Sequence, residues 1–366
     1  MAAAKHLGRM IGAVLLWTAV VLYVLYAASV TRARRSTAVV REVRVEVRDS
    51  TAQGSLVTER EVRGWIARSG LKLEGVQIDS VDLTALERLI LQNGFVDRAA
   101  AYLSDDDVLH VRLSQHTPVL RLLVDEMNSY ATREGHIFVA PPRSARYVPV
   151  VTGSYRPPVP AGFTGSLRAH IDHEQWKIDT LIASLERSKY PLYSAEREQA
   201  RLEREARRER IKKRWRERET DFERRVQEKR DEKTARIRKY RYEARMIRRR
   251  IDGIGEEQER LRQRQKKLEK SCEDFMKLLT FVERVEKDDF WRSEIVQLIA
   301  STAPSGDLEV AFVPRSGRFT VRFGRLERVE EKLDKLLRFY DRGLSAIGWE
   351  RYSVIDVRFA DQVVCR

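Results

Sequence analysis

The segment TEREVRGWIARSG, residues 58–70, decides the fold of the N-terminal part of the chain. Thr58 and Glu61 are spaced so that the hydroxyl and the carboxylate each satisfy a free amide of a first helical turn. The apolar residues that follow share one helix face: Val62, Trp65 and Ile66. Because Gly70 is a natural stop, the segment predicts a capped amphipathic helix with one buried face.

Neighbouring segments extend this helix into a small mixed module. Upstream, valines alternate with charged residues over 43–48, which is the period-two pattern of a strand with one buried face. Downstream, the sequence predicts a second helix over 82–94 and two strands at 99–103 and 108–113. The predicted order is strand, helix, helix, strand, strand, and we assign this α+β module to residues 36–118.

An uncharged apolar run lies near the N-terminus, from Met10 to Val30. About 20 apolar residues span a hydrocarbon core of roughly 30 Å, whereas the apolar region of a secretion signal is usually shorter. We therefore expect a single retained membrane helix over residues 10–30, with a short tail at 1–9. A cleaved secretion signal is the alternative, and the flanking charges do not decide the orientation.

Most of the positive charge lies in one long segment. The chain has a net charge of +15, and residues 196–270 hold 30 basic and 18 acidic residues, a net +12. Nucleic-acid binding is disfavoured because the excess charge lies in one segment, in which acidic residues are interspersed. A structural helical rod with acidic and basic residues on its surface is favoured. Contact with an acidic partner, an anionic lipid or a wall polymer is the alternative.

This segment lies within a predicted helical insertion, residues 166–286. Its apolar residues are spaced by three, four or seven, the heptad pattern of a coiled coil. They are Ile237, Tyr240, Ala244, Ile247, Ile251, Ile254, Leu261 and Leu268. Breaks are predicted at the strongest helix breakers, Pro191, Gly253 and Gly255. The expected helices are 171–188, 194–252 and 256–287. They would fold back as a protruding rod, although self-association explains the heptad seam equally well.

The rest of the sequence predicts a β domain interrupted by the rod. Residues 119–165 predict strands and loops, and residues 287–366 resume the β-rich pattern. The second part contains a hairpin turn at 316–317, a helix over 330–344 and a last strand over 353–364. The complete prediction is an α+β protein with a membrane helix, a β-α-α-β-β module, a charged insertion and a C-terminal β domain.

Motifs for catalysis or metal binding are absent from the sequence. There is no glycine-rich phosphate loop, nucleophile elbow or His-Glu-x-x-His motif. The two cysteines, Cys272 and Cys365, are too few for a disulfide framework or a zinc site. We therefore predict no catalytic residue, no cofactor and no metal, which disfavours an enzyme.

Several short motifs lie on either side of the charged rod. Two of them lie before it, at 115–121 and 145–153. The others lie after it: Asp289-Phe290-Trp291, Val313-Pro314-Arg315, Phe323-Gly324-Arg325, Tyr340, Gly348-Trp349, Ile355-Asp356-Val357-Arg358-Phe359 and Asp361-Gln362-Val363-Val364-Cys365. In type and order these motifs resemble the FtsQ/DivIB family of bacterial cell division proteins, although His116 replaces the family's usual arginine. The resemblance covers residues 1–165 and 272–366, and the charged rod departs from it as an insertion.

The resemblance implies a non-enzymatic, single-pass inner-membrane scaffold at the division septum. Its N-terminus would be cytoplasmic, with a membrane-proximal POTRA domain and the β domain in the periplasm. The implied partners are FtsB and FtsL and, through them, the septal wall synthases FtsW and FtsI. In the family, FtsB docks beside the C-terminal strand. The positions carried over are Arg325, Asp356, Arg358 and Phe359, the last replacing a tyrosine.

Elementary physics agrees with a docking role for the last strand. An unpaired strand edge offers backbone donors and acceptors to an incoming segment, and alternate side chains supply specificity. On this interpretation Arg325 and Arg358 attract an acidic FtsB segment, while Phe359 supplies apolar area. The alternative function is a POTRA-containing factor for outer-membrane biogenesis or secretion, but the row of lipid-facing strands that a transmembrane barrel needs is missing.

Overall fold

The structure is a computed structural model. It describes residues 16–27, 38–48, 56–104, 106–141 and 146–366. Residues 16–27 are helical and are called α1. Among the described residues, no helix combines the length and the apolar character needed to cross a membrane. The expected membrane helix at 10–30 falls only partly within the described residues, and the expected tail at 1–9 lies outside them.

A small α+β module follows α1, with its elements in the predicted order. They are β1 (Glu42–Arg48), α2 (Glu59–Arg68), α3 (Leu83–Leu91), β2 (Val96–Leu103) and β3 (Val108–Gln115). The sheet order is β1-β3-β2, with β1 parallel and β2 antiparallel to β3. The predicted cap of α2 is confirmed, because the Glu61 amide donates to Thr58 Oγ at 3.3 Å and the Thr58 amide donates to Glu61 Oε2 at 2.8 Å.

A ten-stranded sheet contains the remaining strands. They are β4 (Pro118–Val124), β5 (Met127–Thr132), β6 (His136–Val139), β7 (Val150–Gly153), β8 (Gly165–Ser166), β9 (Ile295–Thr302), β10 (Leu308–Pro314), β11 (Thr320–Gly324), β12 (Val354–Asp356) and β13 (Val364–Cys365). Their order is β13-β12-β11-β10-β9-β7-β4-β5-β6-β8. Strands from before and after the charged insertion meet where β7 pairs parallel with β9. The two parts of the predicted β domain therefore form one sheet.

The charged insertion is a two-helix hairpin rather than the expected three helices. It consists of α4 (Leu167–Arg208) and α5 (Glu219–Lys287). Pro191 lies inside α4, and Gly253 and Gly255 lie inside α5. The predicted breaks are wrong because packing of one helix on the other outweighs the costs of roughly 3 kcal/mol for an internal proline and about 1 kcal/mol for a glycine.

The real turn, residues 209–218, contains neither glycine nor proline. The turn runs beside the start of α5, because Lys233 Nζ donates to the Arg207 and Glu209 carbonyls at 2.8 Å. The hairpin therefore turns without a helix breaker, and backbone carbonyls at the end of α4 and in the turn are tied to α5.

The two helices pack antiparallel along the predicted heptad seam. Gln258 Nε2 donates to the Ile182 carbonyl at 3.2 Å, and Gln265 Nε2 donates to Asp179 Oδ1 at 2.7 Å. Farther out, Arg241 Nε lies 2.7 Å from Glu203 Oε1. The apolar seam residues are partly buried while most residues between them are exposed. Pairing with α4 thus accounts for the seam without a second chain.

The last part of α5 belongs to the core of the ten-stranded sheet. Its buried residues are Cys272, Phe275, Leu278, Leu279, Phe281, Val282 and Val285. From α4, only Leu167 and Ile171 join this core. Two further helices connect elements of this domain: the short α6 (Asp289–Glu294) precedes β9, and α7 (Val329–Phe339) precedes β12. The predicted insertion, residues 166–286, therefore includes side chains on which the β domain depends.

The two folded parts share a hydrophobic junction. Tyr130 and Phe138, from β5 and β6, are fully buried in the core of the N-terminal module. At the edge of this junction, the rings of His116 and His136 stack with their centroids 3.9 Å apart. Burial lowers the pKa of His116, and burial together with the neighbouring His116 lowers that of His136.

The histidine pair predicts acid sensitivity of the junction. Because folding lowers the pKa of these histidines, the unfolded chain binds protons below about pH 6.5 that the folded chain does not bind. The free energy of unfolding is therefore greatest above about pH 6.5 and falls as the pH decreases. We expect the melting temperature to fall from pH 7.5 to pH 5, and to fall less for a His116→Gln/His136→Gln double variant. His173→Gln, on the exposed surface of α4, is the control and should keep the full dependence.

Candidate partner-binding edge

The C-terminal end of the ten-stranded sheet contains all four candidate contact residues. β10 and β11 form the predicted antiparallel hairpin. Helix α7 then returns the chain so that β12 pairs parallel with β11, with Val321 opposite Ile355 and Arg322 opposite Asp356. Ile355 and Val357 are fully buried, which anchors this end of the sheet to the core.

The predicted last strand, 353–364, is interrupted in the structure. β12 ends at Asp356, and the chain returns as β13, which pairs antiparallel with β12. Val354 and Arg366 exchange both backbone hydrogen bonds, at 3.1 and 3.0 Å. The expectation that β12 itself has an open edge is therefore wrong, because the last residues of the same chain satisfy its backbone groups.

The open edge of the sheet lies instead on β13. In an antiparallel ladder, hydrogen-bonded pairs alternate with pairs whose backbone groups point away from each other. Since Val354 and Arg366 form a hydrogen-bonded pair, the amide and carbonyl of Cys365 point away from β12. β13 is the last strand of the sheet among the described residues. Cys365 thus presents one backbone donor and one acceptor outward.

Asp356 and Arg358 form a closed ion pair at the end of β12. Arg358 Nη2 lies 2.7 Å from Asp356 Oδ2, and the Arg358 amide also donates to Asp356 Oδ1 at 3.1 Å. Burial of the Asp356 carboxyl raises its pKa, but the hydrogen bonds from Arg358 outweigh this effect and hold the pKa below its usual range. The pair is therefore charged and mutually neutralised at neutral pH.

Arg358 also explains the glycine of the family motif. Gly324 has a φ of +75°, a left-handed conformation that favours glycine. A Cβ atom at this position would lie 2.6 Å from Cγ of Arg358. The Arg358 side chain therefore lies directly over Gly324, the residue that precedes Arg325.

Arg325 is engaged with a buried carboxylate rather than free. Its guanidinium pairs with Asp307, whose side chain is buried and also pairs with Lys270 of α5. Ser305 Oγ donates to the same carboxylate at 2.7 Å. The structure brings Arg325 and Arg358 together, but each already has an acidic partner. Their capacity to attract an acidic segment is correspondingly reduced.

Phe359 is the candidate contact residue that exposes a large apolar side chain. Its side chain is 45% exposed. In the described part of the chain, the backbone amides of Phe359 and Ala360 donate to no acceptor. Their carbonyls, by contrast, both accept hydrogen bonds from Lys335. The segment after β12 is therefore held in place by α7, with an exposed ring and free amides.

Sequence reasoning missed the two lysines of α7 that organise this edge. Lys335 Nζ donates to the Val357 carbonyl at 3.0 Å in addition to those of Phe359 and Ala360. Lys332 is buried and donates to the Phe323 and Arg325 carbonyls at 3.1 and 2.6 Å. Burial lowers the pKa of both lysines. The sequence contains one signal for this role. Lys332 lies beside Leu333 on the face of α7 that is otherwise apolar, where a lysine needs buried acceptors.

Comparison with protein families gives two matches. The family described as FtsQ/DivIB, C-terminal related, matches residues 257–366. A POTRA-like domain matches residues 38–114. The first match contains the end of α5, the C-terminal strands and all four candidate contact residues. The second contains the small β-α-α-β-β module. No match was found among the curated proteins.

Proposed function

Because these two domains identify the chain as an FtsQ/DivIB-like protein, we propose that it is a scaffold for bacterial cell division that captures FtsB at β13. FtsB would bring FtsL and, through it, the septal synthases FtsW and FtsI. The scaffold acts by binding and has no catalytic step. It works as a single-pass protein of the inner membrane at the division septum, with its folded domains in the periplasm.

One observation carries the proposal: within the described part of the chain, the sheet ends in a short strand whose outward backbone groups have no partner. A partner strand added beside β13 would bond to the amide and carbonyl of Cys365. The exposed Phe359 ring supports the same location, because apolar area beside a strand edge adds affinity and selects the partner's side chains. Arg325, Asp356 and Arg358 support it indirectly, since their ion pairs shape the adjoining surface.

A proline at the edge tests the proposal. Proline lacks the amide hydrogen and is tolerated in edge strands, and the Cys365 amide is not used by β12. We expect a fluorescent fusion of the full chain to concentrate at mid-cell, and Cys365→Pro to lose both this placement and FtsB in a pull-down. Cys365→Ala keeps the amide and should behave as the parent chain does.

Two results would count against the proposal. FtsB recovered equally with Cys365→Pro and Cys365→Ala would show that the backbone of β13 is not the docking site. Uniform envelope fluorescence of the parent chain in dividing cells would instead favour the alternative, a POTRA-containing biogenesis or secretion factor. Circular dichroism of both variants checks that the sheet has formed.

A further inference from the structure

We propose that the tip of the α4–α5 hairpin, residues 209–219, is a binding site for the surface of an anionic lipid bilayer. The tip is distant from the β13 edge, so this inference does not depend on capture of FtsB. The part of α5 between Glu219 and Glu269 precedes the residues buried in the sheet. At 1.5 Å per residue, this part carries the tip about 75 Å from the sheet.

The acidic residues of the tip are neutralised within the hairpin. Glu217 pairs with Arg225 through two contacts of 2.7 Å, and these hydrogen bonds, with one from the Arg214 amide, lower its pKa to about 2. Glu219 pairs with Lys213, and Glu209 lies 2.5 Å from Arg236. The carboxylates of the tip are therefore all occupied.

Five basic residues of the tip remain without a carboxylate partner among the described residues. They are Arg210, Lys212, Arg214, Arg216 and Arg218. Their side chains lie on a nine-residue stretch that is mostly exposed. A compact group of four to eight basic residues is the pattern that binds anionic lipid head groups. The tip therefore has an uncompensated positive charge at the far end of the α4–α5 hairpin.

Trp215 gives the tip its second feature. Its side chain is 90% exposed, and the guanidinium of Arg216 lies 4.9 Å from the centre of its ring system. An indole has an apolar body and a polar N–H group, which is why tryptophan is enriched at the interface between membrane and water. A tryptophan among free basic residues thus matches a lipid head-group layer in both charge and polarity.

A bilayer fits the tip better than an extended polyanion does. Proteins that follow a nucleic-acid strand use successive aromatic platforms along a basic groove. The next aromatic ring along the chain, Phe222, is only half-exposed and lies between Lys213 and Arg225, at 5.9 and 5.5 Å. One highly exposed ring on a small projecting loop suits a flat surface that is contacted at a single point.

Vesicle flotation tests this site on the full chain. The protein is held in nanodiscs of neutral phosphatidylcholine, so that its N-terminal segment is already occupied. Vesicles of phosphatidylcholine alone, or with phosphatidylglycerol, are then added. We expect flotation only with the anionic vesicles, reduced at least about tenfold by Arg210→Gln/Lys212→Gln/Arg214→Gln/Arg216→Gln/Arg218→Gln. Brominated lipid chains should quench the parent chain more than Trp215→Phe.

The matched control removes five exposed basic residues from the hairpin shaft. These are Arg238, Arg245, Arg249, Arg250 and Lys267, each replaced by glutamine. The shaft variant should float like the parent chain, and both variants should retain the parent's helical circular dichroism signal. Equal losses in the two variants would show diffuse charge attraction and overturn the proposal. Retention of the tip on heparin without vesicle flotation would assign it to a soluble polyanion and also overturn the proposal.

Discussion

Replacing Phe359 by aspartate is expected to abolish FtsB capture while changing the stability of the protein by less than about 1 kcal/mol. The side chain is 45% exposed, and substitutions at exposed sites usually change stability little. Lys335 holds this segment through the carbonyl of Phe359, which the substitution leaves in place. In the proposed complex, aspartate would remove apolar contact area and would repel the acidic segment that we expect FtsB to present.

We expect the affinity for FtsB to fall as much as it does when an aromatic residue at the centre of an interface is removed. Truncating an aromatic anchor commonly costs 2 kcal/mol or more, which is roughly a 30-fold weaker complex. The measurement is the dissociation constant for a synthetic FtsB segment, together with thermal unfolding of the same sample. Phe359→Tyr, which restores the residue of the family motif, should bind at least as tightly as the parent chain.

A similarly exposed phenylalanine provides the control. Phe290 is 43% exposed and lies on α6, beside β9, which is three strands away from β12. Phe290→Asp introduces the same charge on another surface and should leave FtsB binding unchanged. If Phe359→Asp bound FtsB as tightly as Phe290→Asp, the ring of Phe359 would not belong to the interface.

The fold of the N-terminal module was predictable because its signals are local. Thr58 and Glu61 determine the start of α2 through contacts within one turn, and the alternating valines of β1 need only one buried face to form a strand. Such patterns depend on neighbours in the sequence. They therefore identify the order of elements without knowledge of distant contacts.

The hairpin was predictable only in part. Heptad spacing identified the seam because it reflects helix geometry, which does not depend on the identity of the partner. The position of the turn depends on the register between α4 and α5, which contacts such as those of Gln258 and Arg241 determine. Since Pro191 and Gly253 are tolerated by this packing, breaker residues alone misplaced the turn.

The docking edge was the least predictable part. β13 has two residues, and its pairing with β12 depends on a reversal of the chain after Asp356 that leaves no periodic pattern in the sequence. The ion-pair partners of the two arginines are equally hard to predict. Arg325 pairs with Asp307, which is distant in the sequence, and the Arg358 side chain folds back onto Asp356 of β12. Motif resemblance located these residues in one region, but the choice between free and paired arginines needs three-dimensional contacts.

The largest effect on stability is expected from the base of the hairpin. Phe281 of α5 is buried, and its ring lies 5.2 Å from that of Phe323 on β11. Phe281→Ala should lower the free energy of unfolding by about 3 to 5 kcal/mol, because a cavity adds to the lost burial. Tyr242→Ala, on the exposed shaft, should change it by no more than about 0.5 kcal/mol. Chemical denaturation measures both.

Two deletions separate the base from the shaft. Removing residues 190–254 and joining the ends with a short glycine-rich loop keeps the contact between Lys189 and Gln258, as well as all buried side chains at the end of α5. This variant should unfold cooperatively near the parent's midpoint. Removing 166–286 deletes nine buried apolar side chains of the sheet's core, whose combined contribution exceeds the roughly 5 to 15 kcal/mol that stabilises a typical domain. The ten-stranded sheet should not form in that variant, and protection of the β9–β12 amides from hydrogen exchange would show that the sheet forms its core without α5.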